Sequence, residues 1–135
     1  MNIPPGAHVA VIDGARFLML RNGDDAQHPN LSVADEPELE LTNFSSGKQR
    51  HSITTNQHNG NDLEEAAHVA AVAQWLNHRV LTNRISQLIV VADKRSLGEL
   101  RRHWHKELQQ RLLVEIPKAL TSHPTADIEA AILAA

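Results

Sequence analysis

The amino-acid sequence predicts one mixed α/β domain, in which three antiparallel strands are followed by helix, strand, helix, strand and helix around a five-stranded sheet. Three observations support this fold class. Short apolar, β-branched segments separated by turn residues occupy the N-terminal part. An unbroken apolar run at 87–92 lies between two segments of helical periodicity. The 135 residues are 41% hydrophobic and 21% charged, which suits one continuous core, so 1–135 is treated as a single domain.

The first two strands are predicted to form a hairpin. The run 8–13 is apolar and β-branched, and 16–21 is the expected returning strand. Asp13-Gly14 between them favours a type I′ turn, whose two central residues need positive φ. A third strand is expected within 31–41, at the sheet edge or interrupted by a bulge, because Pro37 removes a ladder donor.

A polar segment at 42–61 follows, with Phe44 and Ile53 as its large apolar residues. Structureless loops of this length are uncommon inside a compact domain and are usually functional or disordered. We therefore expect a mobile loop at 42–61.

The long helix is expected at about 62–83. Asn61 is its predicted N-cap, and Glu64 and Glu65 lie in the first turn, where the helix dipole favours acids. Its alanine-rich apolar face is suited to close packing on a sheet. The run 87–92 should then form a central, parallel-type strand.

The C-terminal part supplies two further helices and a fifth strand. Ser96 and Glu99 match a capping box, which predicts a helix whose inner stripe includes Leu97, Leu100, Trp104 and Leu108. A fifth strand is expected near 111–117, and Pro124 suits the first turn of a last helix. This order of elements is similar to the ribonuclease-H-like arrangement.

Two aspartates are candidate catalytic residues. Asp13 and Asp93 end strands one and four, which could be neighbours in such a sheet. Metal-dependent nucleases need three or four converging carboxylates, and Glu64 or Glu65 could add another. The alternative is structural, with Asp13 serving the turn and Asp93 capping the next helix. We favour the structural roles and expect neither a metal nor a cofactor.

The densest basic cluster lies at 94–106. On one helix, Arg101, Arg102 and His105 could share an outward face and contact RNA phosphates or an acidic protein surface. The alternative is an ordinary solvated helix face, which the net charge of −3 favours. The candidate binding residues, including two from the loop, are Lys48, Arg50, Lys94, Arg95, Arg101, Arg102 and Lys106.

Several function classes are excluded or disfavoured. The absence of cysteine excludes disulfides and thiolate chemistry. The nine histidines lack the i, i+4 spacing of helical metal sites, and no glycine-rich phosphate loop occurs. Neither a secretion signal nor an apolar run of ~20 residues is present, so we expect a cytoplasmic protein without membrane contact.

Three segments resemble the bacterial host attachment protein family: Val-Ile-Asp-Gly-Ala-Arg at 11–16, Ile-Val-Val-Ala-Asp-Lys-Arg-Ser-Leu-Gly-Glu-Leu-Arg at 89–101, and Val-Glu-Ile-Pro-Lys-Ala-Leu-Thr-Ser-His-Pro at 114–124. The resemblance runs over nearly the whole chain. It implies a role in attachment to host cells. It also implies a fold similar to the middle domain of archaeal and eukaryotic peptide-chain release factors, and thus an origin linked to the ribosome.

The release-factor likeness directs attention to the loop before the long helix. In release factors this loop has a Gly-Gly-Gln tripeptide that positions water for ester hydrolysis. Here 42–61 contains Gly47-Lys48-Gln49 and Asn59-Gly60-Asn61 but no Gly-Gly-Gln. The leading interpretation is therefore a non-enzymatic module that contacts the ribosome, RNA or a protein partner. The alternative is a residual hydrolase, acting on peptidyl-tRNA through Gln49 or as a metal nuclease through Asp13 and Asp93.

Overall fold

The computed structural model describes residues 1–23, 30–35, 37, 39 and 57–135. Its strands and helices follow the predicted order, except that the second predicted helix is divided in two. In chain order the elements are β1 (His8–Ile12), β2 (Phe17–Asn22), β3 (Leu31–Asp35), α1 (Gln57–Leu81), β4 (Leu88–Ala92), α2 (Lys94–Arg101), α3 (Lys106–Arg111), β5 (Leu112–Pro117) and α4 (Thr125–Leu133).

The sheet has the strand order β3-β2-β1-β4-β5. β2 is antiparallel to both β1 and β3, whereas β4 is parallel to both β1 and β5. These pairings confirm the predicted mixed five-stranded sheet. The directions follow from the connections, since a tight turn can join antiparallel neighbours but parallel neighbours need a crossover. β4, an interior strand between β1 and β5, is buried along its whole length, as its unbroken apolar sequence predicts.

Helices cover both faces of the sheet, and each face has its own apolar cluster. On one face α1, α2 and α3 pack over alternate residues of β1 and β4, with Val72, Leu76, Leu100 and Leu108 buried. On the other face α4 contributes Ile128 and Ile132, and the N-terminal segment adds Ile3. The period of two along a strand sends successive side chains to these two layers.

The turn between β1 and β2 differs from the predicted type I′ turn. Ile12 pairs with Phe17, which leaves residues 13–16 in the turn. Within the described residues positive φ occurs only at Gly6 and Asn83, so Gly14 does not have it. The Asp13 carboxylate accepts hydrogen bonds from the amides of Ala15 and Arg16 instead. An aspartate side chain that bonds the backbone two residues on builds a turn without positive φ.

The long helix begins earlier than predicted. α1 starts at Gln57, so Asn61 is inside the helix and is not its N-cap. Residues 57–61 of the predicted loop are therefore helical, and the remainder of it, 42–56, lies outside the described residues. Once a helix is nucleated, each added residue contributes one hydrogen bond, so a local capping signal does not have to stop it.

The second predicted helix is broken between Arg101 and Lys106. Its N-cap is Asp93, whose side chain accepts from the Ser96 amide, so the Ser96–Glu99 capping box was wrong. The break is fixed from α1, where the Asn77 side chain donates to the His103 carbonyl and accepts from the His105 amide. His105 then caps α3. Both halves still bury the predicted inner stripe, because the turn keeps Trp104 in the core.

The third and fifth strands are confirmed at the sheet edges, whereas Pro124 differs by one residue from its expected place in a first helical turn. β3 is an edge strand with a register shift at Met19/Leu20, and Pro37 lies beyond its end. β5 lies within one residue of its predicted bounds. Pro124 is the N-cap of α4, one residue before its first turn. Among the described residues, no helix is long and apolar enough to cross a bilayer.

Candidate functional site

A cleft of about 410 Å³ opens at the carboxyl ends of β1 and β4. These strands are parallel neighbours, and Ile12 pairs with Ala92, so Asp13 and Asp93 emerge side by side at the same edge. After β1 the chain continues to β2 on one side of this strand pair, whereas after β4 it continues to β5 on the other side. Open α/β sheets commonly bind ligands at such a switch point. The predicted proximity of the two aspartates is therefore confirmed.

Acidic side chains dominate the wall of this cleft. They come from the β1–β2 turn, from α1 and from the start of α2, and one guanidinium accompanies them. These charged lining residues are Asp13, Asp62, Glu65, Asp93, Glu99 and Arg95. Gly14 admits α1 to the edge of the cleft, because a Cβ there would lie 2.9 Å from Cγ of Glu65.

Asp13 is held by three hydrogen bonds. Its Oδ1 accepts from the amides of Ala15 at 2.7 Å and Arg16 at 2.6 Å, and its Oδ2 accepts from the Thr121 hydroxyl. Burial acts to raise the pKa of Asp13. The hydrogen bonds and the positive charge of Arg16 outweigh it, so the pKa lies below its ordinary value. Asp13 is thus an ionised acceptor that closes the turn, which is the structural role predicted for it.

Asp93 has one oxygen bonded and one not. Oδ2 accepts from the Ser96 amide at 3.1 Å and caps α2. Oδ1 is buried and has no hydrogen-bond partner among the described residues. Ser96 is itself only 4% exposed. The predicted capping role of Asp93 is confirmed, and the residue keeps an unused acceptor beside the cleft.

The carboxylates do not converge as a metal site would require. In the described ranges, no group of three Asp, Glu or His side chains is placed to hold a metal ion. Glu65 reaches the cleft, whereas Glu64 is not among its lining residues. Hydrolysis by paired metal ions needs a tighter arrangement of carboxylates than the described residues provide.

The predicted basic cluster lies on the surface and is largely paired with acids. Arg95 contacts Asp62 at 2.6 Å, Arg101 contacts Glu115 at 3.2 Å and Arg102 contacts Glu99 at 3.4 Å. Lys94 and Lys106 are exposed, and neither has an ion pair within the described part of the chain.

One feature of this cluster differs from the sequence prediction, and part of the prediction is not tested. His105 caps α3 through Nδ1, so it does not belong to one continuous outward face with Arg101 and Arg102. The candidates Lys48, Gln49 and Arg50 lie outside the described residues.

Sequence reasoning missed a second, smaller cavity of about 130 Å³ at the opposite edge of the sheet. There the Arg79 guanidinium lies 4.5 Å above the ring of Trp75, which meets Phe17 edge to face. His8 lines the same cavity, and burial, then the charges of Arg21 and Arg79, lower its pKa. The spacing of Trp75 and Arg79, one helical turn apart, was the available signal.

Comparison with protein families identifies the class of this chain. The model of bacterial archaeo-eukaryotic release factor family 12 matches residues 7–132. The match covers nearly the entire sequence, so the chain belongs to this family. The release-factor part of the predicted resemblance is thereby confirmed. A search of curated proteins finds no match.

Proposed function

We propose that this release-factor-like domain binds the ribosome and has no ester-hydrolysing chemistry of its own. The observation that carries the proposal is the family match over residues 7–132. The ribosome is the partner that a release-factor-like fold suggests.

The lack of chemistry is supported by two features. The sequence contains no Gly-Gly-Gln tripeptide, and a residue with Cβ in place of glycine restricts the backbone conformations that a catalytic loop can adopt. The two candidate carboxylates, Asp13 and Asp93, each bond backbone amides, of the turn and of α2 respectively. These hydrogen bonds are sufficient to explain an aspartate at each position without a catalytic role.

The contact surface is proposed to be the exposed cations of α2 and α3, together with Lys48 and Arg50. Arg101 and Arg102 have side chains 60% and 74% exposed. Exposed ion pairs contribute little free energy, so their arginines can exchange a carboxylate for a phosphate at small cost. Ribosomal RNA supplies a dense array of such phosphates.

Sedimentation with ribosomes tests this surface. The wild-type protein is expected to pellet with ribosomes, and Arg101→Glu combined with Arg102→Glu should reduce the bound fraction. The control is Arg16→Glu with Arg84→Glu, two exposed arginines outside α2 and α3 that give the same change in net charge. If the first pair leaves sedimentation unchanged, or if both pairs reduce it equally, the surface is misassigned.

The resemblance to host attachment proteins suggests a role in attachment to host cells. We propose that this role is indirect and follows from a contact that the protein makes in the cytoplasm. Fractionation of cells tests this placement. Recovery with cytoplasmic ribosomes supports it, and recovery at the outer surface of the cell replaces it with direct adhesion.

A residual hydrolase is the second candidate, and family membership favours it. Gln49 would then position water for cleavage of peptidyl-tRNA, or Asp13 and Asp93 would serve a nuclease. Turnover that Gln49→Ala or Asp13→Asn abolishes would establish this candidate in place of a pure binding module.

A further inference from the structure

We propose that the smaller cavity, between the last turns of α1 and strands β1 to β3, binds a doubly charged phosphate group. This group is either inorganic phosphate or the phosphomonoester of a larger molecule. The proposal is independent of ribosome binding. It rests on two arginines that line the cavity, on the partners that each of them has and on the volume between them.

The charged groups of the cavity favour an anion. Arg79 and Arg84 line it, and Asp35 is the one carboxylate among its described lining residues. His8 also lines the cavity, but burial and then the charges of Arg21 and Arg79 lower its pKa, so it adds little charge at neutral pH. The described lining therefore has an excess of positive charge.

The negative end of the α1 dipole opposes this charge only weakly. That end of a helix is negative because its last carbonyls lack partners within the helix. Here the backbone amides of residues 82–85 donate to carbonyls in the last turn of α1. These bonds offset the negative end, so the two arginines dominate the electrostatics of the cavity.

Arg79 is held ready to donate. Its guanidinium lies 4.5 Å from the centroid of the Trp75 ring, and that ring meets Phe17 edge to face with the centroids 5.3 Å apart. Stacking on an aromatic face fixes the plane of a guanidinium and leaves the N–H groups at its edge free to donate. Little side-chain freedom is then lost when a ligand binds.

Neither arginine has a strong partner. Arg79 lies 3.5 Å from Asp35, whereas a charge-assisted hydrogen bond measures about 2.7–2.9 Å. The exposed Arg84 side chain makes no hydrogen bond or ion pair within the described part of the chain. The backbone keeps the two together, because the Arg84 amide donates to the Arg79 carbonyl at 2.8 Å. Like charges on one cavity repel each other, and an anion between them removes this cost.

The charge and the number of donors favour phosphate over carboxylate. A guanidinium fork binds either group through two parallel hydrogen bonds. A carboxylate has two oxygens and one charge, whereas a phosphomonoester has three acceptor oxygens and a charge of about −1.5 to −2 at pH 7. Two forks are therefore better matched by the phosphate. The internal phosphodiesters of ribosomal RNA have a single charge, so this site is distinct from the surface proposed for the ribosome.

The volume limits what can enter. The cavity measures about 130 Å³, below the about 300–1,000 Å³ of pockets that enclose a drug-sized ligand. It therefore admits one phosphate group and leaves the remainder of a larger ligand outside.

An NMR titration of the full chain at constant ionic strength tests the proposal. Methyl phosphate, a monoester, should bind saturably and shift the indole signals of Trp75, while those of the buried Trp104 stay in place. Dimethyl phosphate, a diester of similar size with one charge, should bind about tenfold more weakly or worse. Inorganic phosphate is titrated in parallel, and the tighter of the two doubly charged probes identifies the source of the group.

Three variants locate the site. Arg84→Gln should weaken methyl phosphate binding by about tenfold or more, as expected for the loss of a charged hydrogen bond. Arg79→Lys keeps the charge but loses the planar fork, and should also weaken binding. Arg16→Gln is the matched control, because Arg16 is an exposed arginine that does not line this cavity, and it should leave the affinity unchanged.

The proposal is wrong if methyl phosphate gives no saturable shift at Trp75, if dimethyl phosphate binds equally well, or if Arg84→Gln has unchanged affinity. An equal loss in Arg84→Gln and Arg16→Gln would reveal a general effect of net charge and would also overturn it. Ribosome sedimentation does not enter this test, so either proposal can fail alone.

Discussion

At the scale of single residues, two aspartates at neighbouring strand ends have different surroundings. Asp13 accepts three hydrogen bonds, from two amides and the Thr121 hydroxyl. Asp93 accepts one, and its other oxygen is buried without a partner in the described part of the chain. Asp13 therefore uses both carboxylate oxygens as acceptors, whereas Asp93 uses one among the described residues. Substitutions at the two residues should therefore differ in their effects on protein stability and on titration.

Replacing Asp93 by alanine should destabilise the protein through loss of the α2 cap. The expected decrease in the free energy of unfolding is about 1 kcal/mol. Asp93→Asn retains an oxygen for the Ser96 amide and should lose much less. Urea unfolding of the three proteins measures both differences. Equal stability of the alanine and asparagine variants would contradict the capping role.

Asp13 should contribute stability that depends on pH. Burial raises its pKa, but the bonds from Thr121 and the turn amides lower it further, so the folded pKa lies below the ordinary value of 3.8. A depressed folded pKa means that the contribution is fully present above about pH 3.8 and is lost as the pH falls through the folded value.

Thr121→Val tests the cause of this shift. Without the hydroxyl donor the pKa of Asp13 should move up toward its ordinary value, as NMR titration of the carboxyl carbon would show. Ser122→Ala, an exposed neighbour, is the control and should not move it. An unchanged titration in Thr121→Val would remove the hydroxyl from the explanation.

At the scale of elements, the contact between α1 and the β1–β2 turn shapes the cleft. It depends on Gly14, where a Cβ would lie 2.9 Å from Cγ and 3.3 Å from Cβ of Glu65. The φ of Gly14 is not positive, so alanine would fit the backbone there and only the close approach opposes it. This makes Gly14 a direct probe of helix docking.

Gly14→Ala should lower the free energy of unfolding by about 1 kcal/mol through overpacking. Glu65→Ala in the same chain should recover most of the loss, which a double-mutant cycle measures. Gly98→Ala is the matched control, because nothing lies within 4 Å of its Cβ. Inside α2 it should stabilise by about 0.5–1 kcal/mol. If the effects of the substitutions at Gly14 and Glu65 are additive, their close approach does not affect the free energy of unfolding.

The elements also show where sequence reasoning succeeds and fails. β4 was predictable because five consecutive apolar residues fit a strand buried on both faces. The break after Arg101 was not, because it depends on Asn77, whose bonds to His103 and His105 span more than twenty residues of sequence. The capping box at Ser96 failed for a local reason, since Asp93 offered a competing oxygen three residues earlier.

At the scale of the whole molecule, topology explains which parts of the site were predictable. Asp13 and Asp93 were expected to be neighbours because both follow strands of one sheet, and the parallel pairing of β1 with β4 fulfils this. The pairing of Arg95 with Asp62 was not accessible, since it depends on how α1 and α2 pack. That pairing turns a predicted basic surface into part of an acidic cleft.

Membership of a release-factor family provides one functional context for these features. A release-factor-like domain without Gly-Gly-Gln keeps the fold, and we propose that it keeps the ribosome as partner without the hydrolytic step. The exposed cations of α2 adjoin the acidic cleft, since Arg95 lines it and Arg102 pairs with Glu99 of its wall.

The most direct test combines binding and chemistry in one sample. Ribosomes carrying labelled peptidyl-tRNA are incubated with the purified protein and pelleted, and both the bound protein and the released peptide are measured. The account predicts that the protein pellets with the ribosomes while the peptide remains esterified to tRNA. Release of peptide by the wild type that Gln49→Ala abolishes, or failure of the wild type to pellet, would contradict it.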